Sequence, residues 1–187
     1  MKDTINPNSL FSNITKQKIP PIESWDPPFC GDIDISIKRD GQWYYNGSAI
    51  SRMPLVKLFA RVLKREEDQY FLVTPVEKVR IKVELHPFLT VAVEQKQSNP
   101  CVLAFRTNLD EIIVADENHS ITVTTDDKGD PVPILHVRNN LHALISRSDF
   151  YQLVELATSE PDMDPAHKGG TICSIHSNNC KFILGKY

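Results

Sequence analysis

A chain of 187 residues has room for one large domain or two small ones, and 41% hydrophobic with 24% charged residues is enough for an ordinary globular core. A formal net charge of −3, with both signs spread along the chain, argues against the basic stripe of a nucleic-acid binder and the polybasic segment of a membrane-surface protein. No apolar run reaches the roughly 20 residues that span a bilayer, and Met1 to Ile19 lacks the apolar core of a targeting signal.

A cytoplasmic protein is therefore expected, with Cys30, Cys101, Cys173 and Cys180 reduced and mostly buried. Eight of the thirteen prolines cluster at Pro20–Pro28, Pro131–Pro133 and Pro161–Pro165 and mark connections.

Residues 1–28 read as an N-terminal arm. A short helix is expected from Ser9 to Lys16, with Leu10, Phe11 and Ile14 on one side, then an extended Pro-rich stretch held to the body by Trp25. Ile33, Ile35 and Ile37 alternate with polar residues, the period of a half-buried strand. Asp40-Gly41 turns the chain into Trp43-Tyr44-Tyr45, and Asn46-Gly47 turns it again. The first helix follows, with Ser51 as N-cap, Pro54 in the first turn, and Leu55, Leu58, Phe59, Val62 and Leu63 on its apolar face.

Further strands are expected at Tyr70–Thr74, Val79–Glu84, Leu89–Glu94, Val102–Arg106, Glu111–Ala115, Ser120–Thr125 and Ile134–Val137. A second helix runs from near Ser148 to about Ala157, opened by the capping box Ser146-x-x-Asp149, with Phe150, Leu153, Val154 and Ala157 as its stripe. The final hairpin turns at Asn178-Asn179, setting Ser177 against Cys180, Ile175 against Phe182 and Cys173 against Leu184. That register keeps Cys173 and Cys180 apart, which excludes a disulfide within the hairpin.

The chain says the same thing twice. Ile50-Ser51-Arg52 opens one helix and Ile145-Ser146-Arg147 opens another 95 residues later, each after an Asn-containing turn, Asn46-Gly47 and Asn139-Asn140. The fold class read from this is α+β. It has two related halves, residues 29–98 and 99–187, each a mostly antiparallel sheet with one main helix in a hairpin–helix–hairpin repeat.

No motif specifies a reaction. The six histidines (His86, His119, His136, His142, His167, His176) form no His-x-x-x-His pair, and no Cys-x-x-Cys occurs. Cys173, His176 and Cys180 are close in sequence, but the hairpin places His176 on the opposite face. There is no Gly-x-Ser-x-Gly elbow. Asp32/Asp34 read as the wet face of a strand and Asp162/Asp164 as part of a Pro-rich loop. No cofactor, metal or catalytic residue is assigned.

Three features are weighed as binding groups. The corner Thr74-Pro75-Val76-Glu77-Lys78 displays a Glu-Lys pair beside a fixed bend and reads either as a solvated turn with a weak salt bridge or as a rigid polar corner facing the other half; Arg106-Thr107-Asn108 ends a strand with three hydrogen-bonding side chains that either bind an anion or cap the chain. Arg52 and Arg147 sit at helix starts, where a cation opposes the dipole. Either a sheet carboxylate such as Asp32 or Asp34 holds them, or they are available to an anionic ligand.

Several of these stretches resemble a bacterial family of unknown function, domain-of-unknown-function family 1285. The matching residues are Cys30-Gly31-Asp32-Ile33-Asp34-Ile35, Asp40-Gly41-x-Trp43 with Tyr45 and Gly47, and Ile50-x-Arg52. They continue with Phe71-Leu72-Val73 into Thr74-Pro75-Val76-Glu77-Lys78, Phe105-Arg106-Thr107-Asn108, Val137-Arg138-x-x-Leu141-x-Ala143 and Phe182-x-Leu184-Gly185. The resemblance covers roughly residues 28–186 and implies an α+β fold of two related halves without an established activity. Leu85 and Leu144 stand where charged residues are common in that pattern, so a site built on those charges would be altered here.

The preferred functional reading is a non-catalytic regulatory or signalling module binding a small molecule or a protein partner at the seam between halves. Its candidate ligand-binding residues are Trp43, Arg52, Thr74, Glu77, Lys78, Arg106, Asn108 and Arg147. The alternative is an enzyme of unrecognised type with a polar site in the cleft between halves. That site would converge Glu77, Lys78 and Arg106 with His86 or an aspartate. Neither nucleic acid nor membrane is expected as a partner, and oligomeric state is not decided by the sequence.

Overall fold

A computed structural model describes residues 20–162 and 170–187. The helix expected at Ser9–Lys16, Asp164 and His167 lie outside the described residues. The chain divides into two compact units between Leu85 and His86.

The first unit contains β1 (Phe29–Ile37), β2 (Trp43–Tyr45), β3 (Ser48–Ala49), α1 (Met53–Arg61), β4 (Leu63–Glu66), β5 (Gln69–Val73) and β6 (Lys78–Val83). Its strands form one sheet in the order β3-β2-β1-β6-β5-β4, antiparallel except for the parallel pair β1/β6. The alternation of β1 is realised as read: Ile33, Ile35 and Ile37 are buried while Asp32 and Asp34 are exposed. Asn46 and Gly47 both take positive φ (47° and 74°), the two-residue turn whose twist matches a hairpin. Ile22 and Pro27, rather than the half-buried Trp25, are the buried residues of the segment before β1.

α1 is shorter than its apolar pattern suggests. The Val62 N–H bonds the Phe59 carbonyl, and the Val62 carbonyl is taken by Val73 N–H, so the chain leaves the helix for β4. The buried face is Val56, Phe59 and Ala60, with Leu55 and Leu58 only half-buried. This is a rotation of the expected stripe toward the sheet.

The second unit contains β7 (Phe88–Lys96), β8 (Val102–Thr107), β9 (Ile112–Val114), β10 (Ile121–Thr125), β11 (Pro131–Arg138) and β12 (Leu141–Leu144). It continues with α2 (Arg147–Leu156), β13 (Thr158–Pro161), β14 (Thr171–Ser177) and β15 (Cys180–Lys186). One sheet runs β10-β11-β12-β7-β8-β9, with β12/β7 parallel, and a second runs β13-β14-β15. β7, read from the sequence as the last strand of the first half, pairs with β8 and β12 in this unit. α2 lies against β7 and β14, and Leu153 is its buried apolar anchor; Val154, expected in the stripe, is exposed.

The repeat is visible in the topology. β10 lies beside β15, so the second unit contains the spatial series β12-β11-β10-β15-β14-β13. This follows the order β3-β2-β1-β6-β5-β4, with a helix after the third strand in both, although β1 and β6 pair within one sheet while β10 and β15 belong to two. β7, β8 and β9 are an addition that prolongs one side of the second copy. The fold is α+β with two related sheet-and-helix halves.

The last hairpin keeps the expected register at Ser177–Cys180 and Ile175–Phe182, and Asn178 and Asn179 both take positive φ. A bulge between Cys173 and Ser174 then shifts Cys173 to face Gly185 instead of Leu184. All four cysteines are free thiols, and none is fully buried; Cys30 is exposed. No helix among the described residues is long and apolar enough to cross a membrane.

Candidate functional site

The two helix starts resemble each other in sequence and differ in structure. In α2, Ser146 is the N-cap and its Oγ accepts the Asp149 N–H at 3.2 Å, as the capping box requires. In α1 the N-cap position falls on Arg52, and no side chain caps it. Ser51 does not repeat the role of Ser146: the bond Ser146 makes goes to the N–H three residues on, and three residues after Ser51 stands Pro54, which has none.

Arg52 and Arg147 are both exposed. Asp32, one of the expected partners, is instead held by both ends of the Arg80 guanidinium at 2.7 and 3.0 Å. That hydrogen bond draws the Asp32 carboxyl below its usual range. Among the described residues, neither Arg52 nor Arg147 forms an ion pair within its own unit.

Other sequence candidates serve the fold. Trp43 is 1% exposed and stacks on Phe59 at 6.2 Å between ring centroids, so it is a core residue and not a ligand contact. Thr74 is fully buried; its Oγ1 accepts the Glu77 N–H at 3.0 Å and holds the tight turn between β5 and β6. Lys78 bonds Glu66 and lies 4.4 Å above the Phe71 ring. The Lys78 ammonium in turn lowers the pKa of Glu66. Glu77 does not pair with Lys78, and its Oε2 is buried without a hydrogen-bond partner among the described residues.

In the second unit, Arg106 is exposed at the end of β8, with Asp110 at 4.0 Å. Asn108 ties the β8–β9 turn to β7, donating its N–H to the Leu89 carbonyl at 2.8 Å and accepting the Leu89 N–H at 3.1 Å. Thus Thr74, Glu77 and Lys78 share one turn, Arg106 and Asn108 share one strand end, and Arg52 and Arg147 stand at separate helix starts.

Sequence reasoning passed over a row of histidines in the second unit. His86, His142, His136 and His119 follow one another at ring-centroid distances of 6.1, 5.4 and 6.1 Å. A plain two-residue turn at Asn139-Asn140 would set His136 opposite Ala143. A bulge between His136 and Arg138 sets it opposite His142 instead, and no sequence signal announces that bulge. Beside the row, Arg138 grips Glu111 with N–O distances of 3.1 and 3.2 Å and lies 5.0 Å from the Phe88 ring centroid.

At the far end of the row, Asp116 Oδ1 accepts the N–H groups of Asn118 and His119, each at 2.9 Å, and meets His119 Nδ1 at 3.1 Å. Burial pushes the Asp116 carboxyl up, but these hydrogen bonds outweigh it and the net shift is downward. A carboxyl with a lowered folded pKa contributes stability above the unfolded value of about 4, and loses it as pH falls through the folded value. The stability gap between wild type and Asp116→Ala should therefore narrow as pH drops from 6 to 3. Urea unfolding at each pH measures it, and a gap that widens toward pH 3 would contradict this account.

Family comparison agrees with the division into units. A model described as domain of unknown function (DUF1285), N-terminal domain, matches residues 20–85. One described as protein of unknown function (DUF1285), C-terminal domain, matches residues 87–184. No curated protein matches the chain. Among solved structures it is similar to a DUF1285 family protein from Silicibacter pomeroyi DSS-3, with 40% identity and a TM-score of 0.83, covering 96% of this chain and 94% of that one. It is also similar to a DUF1285 family protein from Shewanella baltica OS155, with 28% identity and a TM-score of 0.53, covering 66% of this chain and 91% of that one. With a family model on each unit and a relative 40% identical over nearly its whole length, the chain belongs to the DUF1285 family.

Proposed function

We propose that the protein is a non-catalytic regulatory or signalling module that binds anionic small ligands at its helix starts, through Arg52 in the first unit and through Arg147 in the second. One observation carries the reading. In two copies of one fold, an arginine stands at the start of the helix, exposed, without a carboxylate partner among the described residues of its unit. The position is unfavourable for a cation on its own account, because the positive end of the helix dipole lies there. An incoming carboxylate or phosphate reverses the sign, since the guanidinium and the positive end of the helix dipole then both attract it.

The test is thermal unfolding in the presence of nucleotides, sugar phosphates and amino acids. A ligand at about 100 times its dissociation constant adds about 2.7 kcal/mol to stability. The expected result is a saturable shift that Arg52→Ala or Arg147→Ala reduces and the double variant abolishes, while either variant alone unfolds within about 0.5 kcal/mol of wild type, as exposed substitutions do. No shift with any anion, or a shift that survives both substitutions, overturns the proposal.

A further inference from the structure

His136 lies between two backbone carbonyls. Its Nδ1 is 2.6 Å from the oxygen of Asn118, in the loop between β9 and β10, and its Nε2 is 2.5 Å from the oxygen of Asn139, in the turn between β11 and β12. A carbonyl oxygen only accepts. Each of these hydrogen bonds therefore needs a proton on the ring nitrogen. A neutral imidazole carries one N–H and can serve one carbonyl; an imidazolium carries two and serves both. We propose that His136 is a proton-operated latch that joins the Asn118 loop to the Asn139 turn when doubly protonated and releases one of them on losing a proton.

The surroundings permit a charge there. From the β9–β10 loop, His119 faces the ring at 6.1 Å, and Asp116 is bonded to His119, so a charge on His119 is offset locally. Glu117 of the same loop is exposed. From β12, His142 meets His136 edge-on at 5.4 Å, with His86 beyond it at 6.1 Å from His142. On β11 itself the nearest cation, Arg138, is neutralised by Glu111. β10, the other strand beside it, contains no ionisable side chain, and Ser120 just before it accepts the His136 backbone N–H at 2.9 Å. The ring meets a main-chain carbonyl at each nitrogen, so protonation changes hydrogen bonding without first requiring the ring to turn.

With both ring nitrogens protonated, both turns are tied to one ring; with one proton, only one is. The substitution that isolates the effect is His136→Gln, whose amide does not titrate. His176→Gln, at an exposed position on β14, serves as the control.

The experiment is nitrogen NMR of the imidazole rings in the full chain from pH 5 to 8, with amide hydrogen exchange at residues 117–119 and 139–140 corrected for the intrinsic pH dependence. Expected is a His136 ring with both nitrogens protonated at pH 5. As that ring loses a proton, exchange in one of the two segments should speed up by about tenfold or more, the loss of a charge-assisted hydrogen bond. His136→Gln should abolish the step and His176→Gln should keep it. Three results overturn the latch: a neutral His136 ring at pH 5, exchange that shows no step as the ring titrates, or a step that persists in His136→Gln. The first two are read on wild-type protein and stand even if the variant fails to fold.

Discussion

Replacing Phe59 by alanine is expected to destabilise the first unit by about 3–5 kcal/mol, the usual range for removing a buried aromatic ring. Phe59 is 0% exposed and stacks on Trp43, itself 1% exposed. It is also the central buried residue of α1, with Val56 one turn before and Ala60 beside it. Loss of the ring empties the place where the helix meets the sheet and leaves the Trp43 face without its neighbour. Both tryptophans, Trp25 and Trp43, belong to the first unit, so intrinsic fluorescence in a urea titration reports on it. Phe59→Leu, which refills most of the volume, should recover more than half of the loss. A Phe59→Ala midpoint within error of wild type would refute this account of the core.

In the second unit the largest polar effect is expected at Asp149. This carboxylate is 4% exposed and accepts the Thr90 hydroxyl at 2.5 Å. Thr90 Oγ1 in turn accepts the Ser146 N–H at 3.1 Å, and Thr90 is fully buried. A side chain on β7 is thereby joined to the capped start of α2, linking the added strands to the repeated unit. Asp149→Ala strands a buried hydroxyl proton and removes a negative charge from a helix N-terminus, so a loss of about 2–3 kcal/mol is expected. Thr90→Val should cost a comparable amount, because it leaves the carboxylate buried without its donor. The double variant Thr90→Val/Asp149→Leu should cost less than the two single losses added together, since both polar partners leave at once. Far-ultraviolet circular dichroism in urea measures all of these, and strict additivity would show that the pair is not coupled.

Local signals were legible in the sequence, and long-range ones were not. The isoleucines of β1, the positive-φ turn at Asn46-Gly47 and the Ser146 cap each follow from a few neighbouring residues, and each stands where the pattern put it. β4 was read as the end of the first helix because Leu63 continues the apolar spacing. Only the hydrogen bond from Val73 to Val62, made across the sheet, decides otherwise. The same holds for candidate site residues. Trp43 is named among the ligand-binding candidates, yet it is buried in the core, and Asn108 is weighed as a binding group, yet Leu89 bonds both its backbone N–H and its side-chain oxygen. The histidine row depends on a one-residue bulge, which flips a side chain's face without leaving a mark in composition or period.

The strand order has a consequence for how the chain is made. In the first unit the central strand β1 lies beside β6, the last strand of its copy to be synthesised, and in the second β10 likewise lies beside β15. A ribosome that has delivered the first hairpin, the helix and the second hairpin has still not delivered the strand that joins them. Until β6 or β15 emerges, Ile33, Ile35 and Ile37, or their counterparts in β10, lack a neighbour on one side. The parallel pairing of β1 with β6 costs loop-closure entropy before it returns any contact. The first copy should therefore fold late and all at once during translation, and arresting synthesis just before Lys78 should yield a protease-sensitive first unit where arrest well beyond Val83 yields a resistant one.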